Sequence, residues 1–144
     1  MAFVLIVDAN QAHATRASDV LTAAGHACGW VTDAEQALTL LRWRVPELVL
    51  LDQAIPGADG GNLPQRLRRT AGASDMPIIL LTTDASAASV GSGDNTVLDA
   101  IRKPFDPGFL AWRVGHALEA HAAPKTADPL ADDGVYARRL RSLA

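Results

Sequence analysis

Cysteine is almost absent from this sequence. Cys28 stands alone, so no intrachain disulfide can close and no thiolate cluster can hold zinc. Excess positive charge is missing as well. A net charge of −3 and a pI near 5.7 give no overall field that would draw the chain to nucleic acid or to an anionic membrane. No apolar run approaches membrane-spanning length, and the opening MAFVLIVDAN meets an acid after a short stretch with no basic leader, so it reads as neither signal peptide nor span. There is no internal repeat. The expectation is a soluble cytoplasmic protein.

What is present suits one globular domain. At 144 residues the chain can bury a core without staples, and 49% hydrophobic against 20% charged residues is a globular balance. Much of that apolar share is alanine, which builds helices more than it fills cores.

Short buried strands alternate with helical stretches. Residues 2–7 form a β-branched apolar run ending at Asp8, and Glu47 to Asp52 repeats that plan. Pro77 to Thr82 is a third such run, and Thr96 to Ile101 a fourth that stops just before Lys103. His26 to Val31 is a weaker strand. Between these lie helices expected at Gln11 to Ala24, capped by Asn10; after a Thr32 to Glu35 capping box; and over Pro64 to Arg69. A last helix opens with Asp106 and Pro107, and its expected buried stripe is Phe109, Leu110, Val114, Ala117 and Leu118.

This alternation predicts an α/β fold, a doubly wound five-stranded parallel sheet with helices on both faces. Ligands of such sheets bind outside the carboxyl ends of the strands, and those ends here carry Asp8, Asp52, Thr82 and Lys103. Two stretches depart from the pattern. Residues 84–95 are poor in strong helix formers, and after His121 a Pro-punctuated linker leads to an Arg-rich end with Tyr136, Leu140 and Leu143 at helical spacing.

The segments VLIVDAN, LVLLDQAIPGADGG, PIILLT and IRKPF, in this order and spacing, resemble a response-regulator receiver domain of two-component signalling, CheY-like in type. The resemblance covers residues 1–121, leaving 122–144 as linker and tail. It implies the strand order 2-1-3-4-5, an acceptor aspartate at Asp52, phosphoryl contacts from Thr82 and Lys103, and a cis bond between Lys103 and Pro104. It also implies Mg²⁺ bound by Asp8, Asp52 and the Ala54 carbonyl. Phosphoryl transfer to a carboxylate needs an in-line oxygen nucleophile and cations on the spreading charge, which these residue types supply.

The sequence departs from the family in three places. Ala9 stands where receivers carry the second acid of an adjacent pair, which predicts weak Mg²⁺ binding, with Asn10 a possible neutral substitute ligand. Ala100 replaces a switching aromatic, and Thr83 replaces a small residue beside the acceptor.

Plainer readings stand beside these. Taken alone, Asp52 is a solvated acid capping a turn, and Lys103 reads either as a phosphoryl contact or as a counter-ion to Asp52 and Asp8. His13, His26, His116 and His121 lack metal-ligand spacing and read as solvated or snorkelling side chains. Cys28 reads as a buried filler, Trp30, Trp43 and Trp112 as packing residues, and Arg66, Arg68 and Arg69 as a solvated face.

The expected function is that of a single-domain response regulator, not an enzyme. It would take a phosphoryl group on Asp52 from a histidine kinase or phosphotransfer protein and signal to a downstream protein or by homodimerising, without nucleic acid or membrane. The alternative is a non-phosphorylatable pseudo-receiver. A haloacid-type phosphohydrolase is disfavoured because position 54 of its Asp-x-Asp signature is alanine.

Overall fold

A computed structural model describes residues 2–58, 61–83 and 99–122. Asp59 and Gly60 within the LVLLDQAIPGADGG segment, the stretch 84–95 and the Arg-rich end lie outside the described residues. The elements are β1 (Phe3–Val7), α1 (Gln11–Ala23), β2 (Ala27–Val31), α2 (Ala34–Leu41), β3 (Leu48–Asp52), α3 (Leu63–Ala71), β4 (Ile78–Thr82), β5 (Asp99–Arg102) and α4 (Pro107–Ala122). All strand pairs are parallel, and the sheet order is β2-β1-β3-β4-β5. None of the described helices is long and apolar enough to cross a membrane.

Strand periodicity divides the core in two. Val4, Ile6, Leu48, Leu50, Ile79 and Leu81 face α1 and α4, meeting Ala17, Leu21, Leu110 and Val114. Their neighbours Leu5, Val7, Val49, Leu51, Ile78 and Leu80 face α2 and α3, meeting Ala37, Leu41, Leu63 and Leu67. Because both faces are covered, β1, β3 and β4 are apolar up to the polar residues Asp52 and Thr82 that close β3 and β4, and every one of their residues is buried. The order runs outward in opposite directions from β1 and β3, so the crevice lies at their carboxyl ends.

Several local expectations need correction. The cap of α2 is Asp33, whose side chain accepts from the Gln36 N–H at 2.8 Å, while the Gln36 side-chain oxygen accepts from the Thr32 N–H at 3.0 Å. The box is thus shifted one residue from Thr32 and Glu35, because the Asp33 carboxylate reaches the third helical N–H directly. Strand β5 ends one residue later than expected, at Arg102, and its expected start at Thr96 lies outside the described residues. Phe109 is 44% exposed and lies outside the buried stripe, since Leu110, Val114 and Ala117 already define the inward face at i, i+4 and i+7.

Trp43 and Trp112 are mostly exposed, at 86% and 60%, while Trp30 keeps most of its surface covered on its strand, at 37% exposed. Aliphatic side chains fill the interior without them. Cys28 is half-buried against the core, and burial pushes its thiol above the ordinary value. His26 is half-buried rather than solvated, with Nδ1 enclosed. Arg68 is tied down too, its Nε donating to the Met76 carbonyl at 2.8 Å and so bracing the loop between α3 and β4.

Leu50 sits fully buried in the central strand. Leu50→Ala is expected to cost about 2–5 kcal/mol of stability, read from the urea midpoint followed by far-ultraviolet circular dichroism.

Candidate functional site

Three buried charges meet at the carboxyl rim of the sheet. Asp8 follows β1, Asp52 closes β3, and Lys103 follows β5, with respective exposures of 0%, 6% and 8%. Lys103 Nζ donates to Asp8 Oδ2 at 2.9 Å and to Asp52 Oδ1 at 3.3 Å. One ammonium therefore serves two carboxylates whose like charges would otherwise repel at close range in a dry site.

Backbone contacts hold the three in place. The Lys103 N–H donates to the Thr82 carbonyl at 2.6 Å, fastening the end of β5 to the end of β4, and the next peptide bond, Lys103–Pro104, is cis. Asp8 Oδ1 accepts from the Asn10 N–H at 2.9 Å, and Asn10 in turn caps α1 by accepting from the His13 N–H at 3.1 Å. The loop from β1 to α1 is thereby built around the Asp8 carboxylate.

Burial and the Asp8 charge push the Asp52 carboxyl above its ordinary range, while Lys103 and the Ala54 N–H pull it back without cancelling the rise. A carboxyl whose pKa is higher folded than unfolded binds more protons in the native state within that window. Stability then falls as pH rises through it.

An open cleft of about 510 Å³ lies over Asp52, walled by Asp52, Lys103, Ala54 and Thr83, with Ala9, Asn10 and His13 on the α1 side. The methyl of Ala9 stands on this wall. Thr82 is fully buried, and its hydroxyl donates to Gln53 Oε1 rather than to the Asp52 carboxylate. Asp8, Asp52 and Lys103 are thus brought together as the sequence suggested, Ala54 and Thr83 flank them, and Thr82 is adjacent with its hydroxyl engaged elsewhere. The sequence reading passed over Gln53 and took His13 for a solvated or snorkelling side chain. Only its position one turn into the helix after Asp8 could have drawn attention to His13.

The donor set suits a hard cation. Asp8, Asp52 and the Ala54 carbonyl are oxygen ligands of the kind Mg²⁺ takes, but among the described residues no three acidic, histidine or cysteine side chains converge on one point. Two carboxylates, both in contact with Lys103, make a lean site.

Fold and crevice together define a receiver-type signalling module, and the comparisons with known proteins agree. The family description "Response regulator receiver domain" matches residues 4–114. The chain is 36% identical over 112 residues to the DNA-binding response regulator MtrA of Mycolicibacterium paratuberculosis, covering 77% of this chain and 48% of that protein. It is 38% identical over 119 residues to the transcriptional regulatory protein AfsQ1 of Streptomyces coelicolor, covering 82% of this chain and 52% of that one. A crystal structure of a response regulator from Chloroflexus aurantiacus J-10-fl superposes with a TM-score of 0.71 at 32% identity, covering 82% of this chain and 98% of that chain. The chemotaxis response regulator CheY4 of Vibrio cholerae gives 0.71 at 25% identity, covering 81% and 98%.

The chain belongs to the response-regulator receiver family of two-component systems. It spans about half the length of the curated relatives it matches. Domains of this family are signalling modules, and they bind Mg²⁺ at their acidic pocket.

Replacing Asp52 by Asn removes a buried charge and its repulsion with Asp8 while keeping an oxygen for Lys103. Asp52→Asn is expected to raise the melting temperature by about 2–6 °C at neutral pH. The gain should shrink as the pH is lowered through the raised Asp52 range, when melts of both proteins are compared.

Proposed function

We propose that the chain is a single-domain response regulator, residues 1–121 forming the receiver and 122–144 a linker and tail. In this reading Asp52 accepts a phosphoryl group from a histidine kinase or phosphotransfer protein in the cytoplasm. The observation that carries it is the convergence of Asp8, Asp52 and Lys103 at one rim, with Asp52 and Lys103 on the wall of the open cleft.

An Asp52 carboxylate oxygen attacks phosphorus in line, and the P–N bond of the donor breaks. Its electron pair leaves with the nitrogen, which takes up a proton. Lys103, already within hydrogen-bond reach of Asp52, turns part of its charge onto the incoming phosphoryl oxygens. Asp8 holds that ammonium at the rim through its shorter contact. The Thr82 hydroxyl leaves Gln53 to donate to the phosphoryl group, and this exchange is the conformational change that the modification triggers. Asp8, Asp52 and the Ala54 carbonyl are the groups that would hold Mg²⁺, whose charge offsets that of the phosphoryl oxygens when bound. With Ala9 in place of an acid, that ion binds weakly. The signal then passes by protein contacts to a downstream partner or a second copy.

A non-phosphorylatable pseudo-receiver is the second reading, favoured by Ala9 and by Lys103 already bridging both carboxylates.

Two measurements test these readings. Phosphoramidate with Mg²⁺ is expected to add one phosphoryl mass to the wild type and none to Asp52→Asn, and an unmodified wild type would sink the acceptor reading. Isothermal titration is expected to show weak Mg²⁺ binding in the wild type, lost in Asp52→Asn and strengthened about tenfold in Ala9→Asp. Binding seen in Ala9→Asp alone would favour the pseudo-receiver.

A further inference from the structure

A phosphoryl group on Asp52 would bring roughly two negative charges into a cleft whose buried ammonium is already divided between two carboxylates. The wall facing it from α1 has lost the usual acid and consists of Ala9, Asn10 and His13. Ala9 offers only a methyl. The Asn10 side-chain oxygen serves the α1 cap, while its amide –NH2 can still donate. His13 stands beyond it, exposed, on the cleft wall, its own N–H pinned by that cap so that the first helical turn is held beside the acceptor.

We propose that His13 is a further phosphoryl-binding residue of this receiver, donating an imidazole N–H to the outer oxygens of the group carried by Asp52. The inference rests on the acceptor reading above and extends it.

Three observations support it. His13 is shared between the acceptor cleft and an adjoining cavity of about 220 Å³, so it stands at the junction through which a group on Asp52 faces solvent. Lys103 and Thr83 line both spaces as well, so the surroundings of His13 are rich in donors. Arg16, one turn further on the same helical face, lines the second cavity with its guanidinium 5.7 Å from the Phe105 ring centre, which adds a second cation beside the mouth. The charged groups facing His13 are therefore Asp52 and Lys103 from the sheet rim and Arg16 from its own helix. Imidazole carries an N–H whether neutral or protonated, so the contact requires no particular charge state.

Beryllofluoride, a mimic of the acceptor-bound phosphoryl group, is the probe, titrated with Mg²⁺ into the full chain and followed by amide chemical shifts. His13→Ala is expected to weaken apparent affinity about tenfold, and His13→Gln, which keeps an N–H donor, to stay within about threefold of wild type. Unchanged affinity in His13→Ala, an equal loss in His13→Gln, or no binding by the wild type would overturn the inference. Phosphoramidate labelling of the wild type, run in parallel, separates the two readings: a labelled wild type with an indifferent His13→Ala leaves Asp52 as acceptor and removes only His13. An unlabelled wild type removes both.

Discussion

The Lys103 ammonium is the hinge of this structure. Asp8 and Asp52 are drawn to the same rim by two buried strands whose apolar runs end in a carboxylate, after the last residue of β1 and as the last residue of β3. Two such anions at close quarters are tolerable only with a cation between them. The chain provides it from the far edge of the sheet, fastened by the backbone bond from Lys103 to Thr82. Any other placement of β5 would leave the anions unpaired, so the order of the sheet and the electrostatics of its rim constrain each other.

The same arrangement makes the crevice responsive. Asp52 is the less well compensated of the two acids, with the longer contact to Lys103 and a carboxyl pushed above its usual range. A carboxylate held short of full neutralisation is ready to exchange its partner for a better one, and in the proposed reading a phosphoryl group would give Lys103 more oxygens to engage. The buried Thr82 hydroxyl, engaged with Gln53 in this state, is a second donor with somewhere to move. Alanine stands at positions 9 and 100, so in the proposed reading these polar exchanges carry more of the response.

The parts of the fold legible in the sequence were those set by solvent exclusion. Runs such as LIV before Asp8 and LVLL before Asp52 announce strands buried on both faces, and the abrupt arrival of an acid marks the rim. The site acids and Lys103 followed from that rule together with a family resemblance. Side-chain direction was not legible. The hydroxyl of Thr82 turns to Gln53 because a residue adjacent in space offers a carbonyl, which no spacing rule reveals. The shift of the α2 cap from Thr32 to Asp33 is a contest between neighbours of similar capping strength. His13 looked like an ordinary surface histidine because its significance depends on a loop conformation set by Asp8 and Asn10.

The tryptophans lie at strand and helix faces, because aliphatic strands fill the interior. Trp43 and Trp112 are mostly in water, whereas Trp30 keeps most of its surface covered. Of the three indoles, Trp30 therefore changes surroundings most when the interior comes apart. Trp112, stacked on His116 with ring centres 5.5 Å apart, is an optical reporter of whatever comes to cover the outside of α4.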